Sequence, residues 1–244
     1  MSRFLSSELP ALYSPVWFVP FDEHARRVRA AGVTVRLDRF DDGEWLPLDD
    51  AAVRTPSAAI VFPGLGRRRE PWAARPELHR ARFAAAGYQP LYPADGRPFS
   101  AGLIGVEFLV HPYDDAWPPG GPAGEVAPRL VRLLPGTAFP YPPGTRTVYG
   151  VVRAAGTEAP VANALVEAAG ETGGDRTPWR ERTLSDAMGA FRLSLRWEGA
   201  RDDPHTVDER FTLRAVERPG RTGSLTVRLP QEAERRHVIE IREQ

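Results

Sequence analysis

Cysteine is absent from this chain of 244 residues, which excludes disulfides, thiolate metal sites and a cysteine nucleophile. Lysine is absent too: all 32 basic residues are arginine, a usage that fits a GC-rich coding sequence rather than a demand of chemistry. Those 32 positive charges meet 32 negative ones, so no global field draws the protein onto nucleic acid or an anionic membrane. No segment approaches the ~18 uninterrupted apolar residues of a membrane span. The opening MSRFLSSELPALYSPVWF carries Pro10 and Pro15 where a signal peptide needs a continuous apolar stretch. The expectation is a protein that stays in the cytoplasm or rides on a particle assembled there.

What is abundant is punctuation. Proline (25) and glycine (22) are enriched, short of the level that marks low-complexity disorder, and imply many short strands joined by turns. They are densest in WPPGGPAGEVAPRLVRLLPGTAFPYPPGT, residues 117–145, where neither a long helix nor a central strand is expected. That stretch is read as a linker between an N-terminal β-rich domain, 1–116, and a C-terminal domain, 146–244; within it, 129–134 could still form a strand. The fold class is therefore mainly β with two domains.

In the N-terminal part, Val33, Val35 and Leu37 alternate with Thr34, Arg36 and Asp38 before an Asp41-Asp42-Gly43 turn and Trp45, which predicts a hairpin. The runs 58–62 and 105–110 read as strands. PELHRARFAAA, residues 76–86, has good helix formers and Gly87 as a stop, and predicts a three-turn helix, with a strand at 79–83 as the competing reading. A second short helix is expected over 22–31, with Asp22 as cap and Gly32 as stop.

The C-terminal part is regular. Apolar-rich runs at 147–152, 162–168, 182–184, 190–197, 210–216, 224–229 and 237–241 predict a seven-stranded Greek-key sandwich. In FRLSLRW, Phe191, Leu193, Leu195 and Trp197 fall on a core face, and Arg192, Ser194 and Arg196 on a wet one.

VYGVVRAAGTEAPVANALVEA, LSDAMGAFRLSL, FTLRAVERPG and SLTVRLP place Gly150 and Val152, Pro160, Val161, Ala164 and Val166, then Ser185, Asp186, Gly189 and Phe191. In this pattern residues 147–229 resemble the carboxypeptidase regulatory-like domain, a prealbumin-type (transthyretin-like) β-sandwich. The resemblance implies an accessory or binding sandwich rather than a catalyst. The roles these residues suit are structural: Asp186 bonding its own turn, Gly189 in a conformation other residues avoid, Phe191 in the core. Two loops, 170–182 and 199–210, are longer than tight hairpins require, and a rigid sandwich puts binding on such loops.

Candidates for chemistry are sparse. Histidines 24, 79, 111, 205 and 237 occur singly, with no HExxH and no metal-ligand spacing. Asp202-Asp203-Pro204-His205 lacks the bend glycine of an EF-hand. The chain ends HVIEIREQ, unlike hydroxyisourate hydrolases, and Tyr149 is the one tyrosine after Tyr141, so an intradiol dioxygenase iron site cannot be assembled from the C-terminal domain. Gly-x-Ser-x-Gly is missing, and FPGLGRRRE lacks the spacing of a phosphate loop. No cofactor is implied.

The remaining interest is contact surface. Arg67, Arg68 and Arg69 suit an acidic partner. PLYP, HPYDDAWPP and FPYPP hold Tyr92, Trp117 and Tyr141 on proline-fixed backbone, suited to a protein partner or a sugar, or to covering the seam between domains. Trp179 is expected in a loop with the same use. The function expected is a non-enzymatic structural or adaptor protein partnered by other subunits of a larger assembly, such as a phage-tail-like or contractile injection particle, with no nucleic acid. A carbohydrate-binding module is the alternative, and an enzyme pocket joining His79 or His111 to Glu107 or Asp114 is a third.

Overall fold

The computed structural model describes residues 13–29, 31–49, 52–70, 75–92, 96–114, 127–171, 177–196, 209–229 and 231–243. Its regular elements are all strands, in two sheets. Among the described residues no helix is long and apolar enough to cross a membrane.

The first sheet takes β1 (Trp17–Asp22), β2 (Arg27–Val28), β3 (Val33–Asp41), β4 (Glu44–Leu48), β5 (Val53–Arg54), β6 (Ile60–Val61), β7 (Glu77–Ala85), β8 (Tyr88–Pro90), β9 (Val106–Val110) and β10 (Arg129–Pro135). Its order is β4-β3-β7-β8-β10-β1-β6-β5, with β2 on β1 and β9 on β7. All described pairs are antiparallel except β1 with β10. The hairpin expected around Asp42-Gly43 is present, with Phe40 opposite Trp45. The sheet curls around Phe18, whose ring meets those of Phe62, Phe83 and Phe108 edge-on, with centroids 6.4, 5.1 and 5.7 Å away. Burying such a ring contributes about 2–3 kcal/mol, and aromatic pairs of this geometry add to it.

Two expectations are corrected here. Residues 76–86 form no helix but β7, because β3 pairs with them on one edge and β9 on the other, and two ladders of hydrogen bonds override the helix propensity of Ala, Glu and Leu. The helix expected over 22–31 is not formed by its described residues either: β1 runs through Asp22, whose Oδ1 accepts from Ala25 N at 2.9 Å, and Arg26 then turns left-handed (φ 53°) into β2. The cap chemistry is there, but it closes a turn. Within the proline- and glycine-rich stretch, the strand allowed for at 129–134 is present as β10, seated between β8 and β1 in the first sheet.

The second sheet takes β11 (Thr147–Ala154), β12 (Leu165–Glu171), β13 (Pro178–Leu184), β14 (Ala190–Ser194), β15 (Glu209–Arg218), β16 (Arg221–Leu229) and β17 (Arg236–Glu243). Its order is β13-β12-β15-β16-β17-β11-β14. Strands β16 and β17 pair only at Arg221–Glu243 and Thr222–Arg242, so the path bends there into two faces around a common core. Val148, Val152, Val166, Phe191, Leu193, Leu213, Val227, Ile239 and Ile241 fill that core. Strand β17 lies parallel to β11. Asp186 closes its turn, its Oδ1 accepting from Met188 N and Ala190 N, both at 2.9 Å. Gly189 follows at φ 72°, where an added Cβ would lie 2.5 Å from the Val152 carbonyl oxygen.

The alternation of FRLSLRW holds on its core side for Phe191, Leu193 and Leu195, while Trp197 lies outside the described residues. The other face is drier than expected: Ser194 is buried, and Arg192 and Arg196 are half-buried, because residues 139–141 and Glu181 cover it.

Candidate functional site

The residues expected to touch a partner do not form one surface. Arg67, Arg68 and Arg69 are exposed on the turn after Phe62, but Arg68 is already engaged, donating to both Glu77 carboxylate oxygens at 2.9 and 3.0 Å. Tyr92 is buried in the first core, its hydroxyl accepting from Phe83 N at 2.8 Å, and burial pushes its pKa up to about 12. Trp179 is in β13 rather than a loop, buried in the second core against Phe211. Both rings are buried rather than exposed. Trp117 lies outside the described residues, as do 172–176 and 199–208 of the two long loops.

Tyr141 marks the seam between the sheets. Its ring packs edge-on against Phe139 (4.7 Å) and His24 (5.2 Å), Arg192 sits 5.0 Å above it, and burial pushes its pKa up to about 12. Of the two uses foreseen for the proline-aromatic segment FPYPP, seam cover is the one it has. The turn 23–26 is the hinge-pin of this seam. Glu23 accepts from Arg132 of the first sheet at 2.8 Å and from Arg182 of the second at 2.6 Å. Next to it, His24 Nδ1 lies 3.7 Å from the Glu181 carboxylate, which also accepts from Arg196 at 2.6 Å. Burial alone would raise the Glu181 pKa, but His24 and Arg196 outweigh it and hold the carboxyl below its usual range.

Apolar and backbone contacts complete the junction. Leu91 and Leu134 of the first half pack with Leu165 and Leu184 of the second, with Phe99 alongside. Thr183 Oγ1 donates to the Pro135 carbonyl at 2.6 Å, and Ala101 N to the Glu217 carbonyl at 2.7 Å. The last bond ties the loop 96–104 across to β15.

Under that loop the seam opens into a cleft of about 530 Å³. Arg36 from β3 and Arg82 from β7 supply its cations, with Gln89 and Asn163 adding amides. Phe99, Leu103, Ile104 and Leu184 form its apolar wall. Arg82 donates to Asp38 at 2.7 Å, whereas Arg36 is exposed and has no hydrogen-bond or ion-pair partner among the described residues. Among the described residues no histidine or carboxylate lines the cleft. Its chemistry is that of a binding site for something anionic and partly apolar.

Of the histidines weighed for an enzyme pocket, His79 is fully buried, its ring stacked on Phe108 at 5.9 Å with the Glu77 carboxylate 3.9 Å away. No group of three or more metal-ligating side chains occurs among the described residues. Sequence reasoning missed Arg36, Arg82, Gln89 and Asn163, which come from β3, the β7–β8 hairpin and the turn before β12. The alternating Arg80 and Arg82 of β7 were the one available signal.

No family model matches the sequence. No curated protein matches it either. Among solved structures the chain is similar to a streptococcal ancillary pilin at 12% identity and a TM-score of 0.29, over 94% of this chain and 62% of the pilin, so it spans less than two thirds of that protein's length.

Proposed function

We propose that this chain is a non-enzymatic structural or adaptor protein that docks, as one rigid piece, into a larger protein assembly. The observation that carries the reading is the seam. A carboxylate shared by arginines of both sheets, an apolar cluster drawn from both, and rings packed over the join hold two β bodies at a fixed angle. A flexible pair of domains would have a small polar contact instead. A part that sets the position of its neighbours gains from a fixed angle, whereas nothing in the cleft suits proton transfer.

Within this reading the C-terminal half is a carboxypeptidase regulatory-like, prealbumin-type sandwich. Supporting it are the strand order, the parallel placement of β17 beside β11, and the Asp186-Gly189 turn. A phage-tail-like or contractile injection particle assembled in the cytoplasm is the setting proposed. The test is tagged full-length protein recovered from its own cells at moderate salt, then sized, with its co-eluting subunits identified and recombined with it as purified proteins. Recovery in a high-mass particle that re-forms from purified parts is expected; a lone, monodisperse monomer overturns the proposal.

A further inference from the structure

We propose that the seam cleft is a docking site for an extended peptide segment of a partner subunit, one that pairs an acidic residue with a neighbouring aliphatic one. The inference rests on the adaptor reading and names the partner's chemistry.

Three observations carry it. The first is charge. Among the described residues two guanidinium groups line the cleft and no carboxylate does; Arg82 is shared with Asp38, while Arg36 is exposed with no partner there. An incoming carboxylate would find a bidentate donor already in place.

The second is an unmet pair of polar atoms. Arg82 Nε is a buried donor and Gln89 Oε1 a buried acceptor, each without a hydrogen-bond partner among the described residues, and both residues line this cleft. Buried polar atoms are nearly always satisfied, so each calls for an occupant. A peptide offers both needs at once, carbonyl and carboxylate oxygens for the donor and backbone N–H groups for the acceptor.

The third is the opposite wall. Leu103 and Ile104 are exposed and adjoin Phe99 and Leu184. Branched aliphatic side chains take a Leu, Ile or Val side chain; a sugar ring would call for exposed flat aromatic faces, and of the rings lining the cleft Phe83 and Tyr92 are buried in the first core. The volume of about 530 Å³ lies in the range of pockets for small ligands and short peptide stretches. Because Arg36, Arg82 and Gln89 of the first half and Asn163 and Leu184 of the second all border the cleft, its shape depends on the locked seam.

The test uses the full chain immobilised against a phage-displayed library of random seven-residue peptides, followed by anisotropy titration of the enriched sequences. Enrichment of Asp or Glu beside Leu, Ile or Val is expected. Arg36→Gln is expected to weaken those peptides about tenfold, the loss of one charge-assisted contact. Ile104→Asp should weaken them at least as much. Both positions are exposed, so the variants keep the fold, which circular dichroism checks. No enrichment, enrichment without an acid, or peptides that bind Arg36→Gln as tightly as the parent would each overturn the proposal. So would glucuronate or inorganic sulfate binding through Arg36 while peptides do not, because the cleft would then be a small-anion site. Failure here is distinguishable from failure of the adaptor reading: a doubly substituted chain that still joins its particle removes the peptide site and leaves the assembly role.

Discussion

Glu23 and Arg182, on opposite halves of the chain, meet in a charge-assisted pair whose guanidinium donates to the carboxylate through Nε at 2.9 Å and Nη2 at 2.6 Å. Both side chains are nearly buried, and Arg132 approaches the second carboxylate oxygen. A carboxylate so placed is the point through which the sheets feel one another.

Replacing it tests that coupling. Glu23→Gln leaves Arg182 with no counter-charge in a dry site, and the expected cost is roughly 3 kcal/mol. Urea unfolding, followed by fluorescence and circular dichroism together, is expected to show one transition for the parent. For the variant it should show two, as the sheets separate before the more stable one melts. A single unshifted transition in the variant would mean that the apolar cluster alone couples the halves.

Backbone proximity gives a sharper contrast. A Cβ on Gly150 would lie 2.2 Å from the His237 carbonyl oxygen, and that oxygen belongs to the ladder joining β11 to β17. Gly150→Ala is expected to cost more than about 3 kcal/mol or to abolish soluble expression. Gly156 has nothing within 4 Å, and its φ of 82° alone should limit Gly156→Ala to about 1 kcal/mol. Melting temperatures of the two variants side by side decide the matter.

The turn at Asp186 should respond in the same modest range. Asp186→Ala removes the one oxygen that accepts from both Met188 N and Ala190 N, and a loss of about 1–2 kcal/mol in denaturant stability is expected. Asp186→Asn, which keeps an acceptor oxygen, should recover most of it.

Alkaline pH offers a prediction with a definite sign. Tyr92 titrates near 12 in the fold and near 10 when unfolded, so above pH 10 the unfolded chain gives up a proton that the native state keeps. Stability then falls as pH rises from 10 to 12, by about 2 kcal/mol at pH 11.5 from this residue alone. Tyr92→Phe should flatten that part of the profile while lowering stability at neutral pH, because Phe83 N loses its acceptor. Unfolding midpoints at pH 8 and pH 11.5 measure both effects. At the acid end the depressed Glu181 carboxyl works the other way: its contribution is present above the ordinary carboxylate range and is lost as pH falls below it.

The second sheet was legible because its strands alternate cleanly, and because Gly150, Asp186, Gly189 and Phe191 each have one local job that their residue type announces. β7 was misleading for a physical reason. Its inward residues are His79, Ala81, Phe83 and Ala85, and two alanines are small enough to pass for helix formers, while the ladders that make it a strand come from residues 33–39 and 106–110. Trp179 illustrates the opposite error, since the polar residues around it suggested a loop while its own ring belongs to the core. The cleft could not be read at all, because Arg36, Gln89, Ile104 and Leu184 become neighbours only when both sheets and their seam exist.

Strand β10, lying parallel to β1 from Phe18–Arg129 to Asp22–Leu133, has a consequence for how this chain is made. During synthesis Phe18 leaves the ribosome long before Arg129, so the edge of β1 that β10 will occupy stays unpaired while the intervening strands emerge. The same holds for β11, whose parallel neighbour β17 is the final strand of its sheet. Parallel partners so far apart demand long loop closures, and these set slow folding rates. Each half is therefore completed by the last strand it receives, in order along the chain, and the exposed edges of β1 and β11 are where a nascent chain is most open to the wrong neighbour.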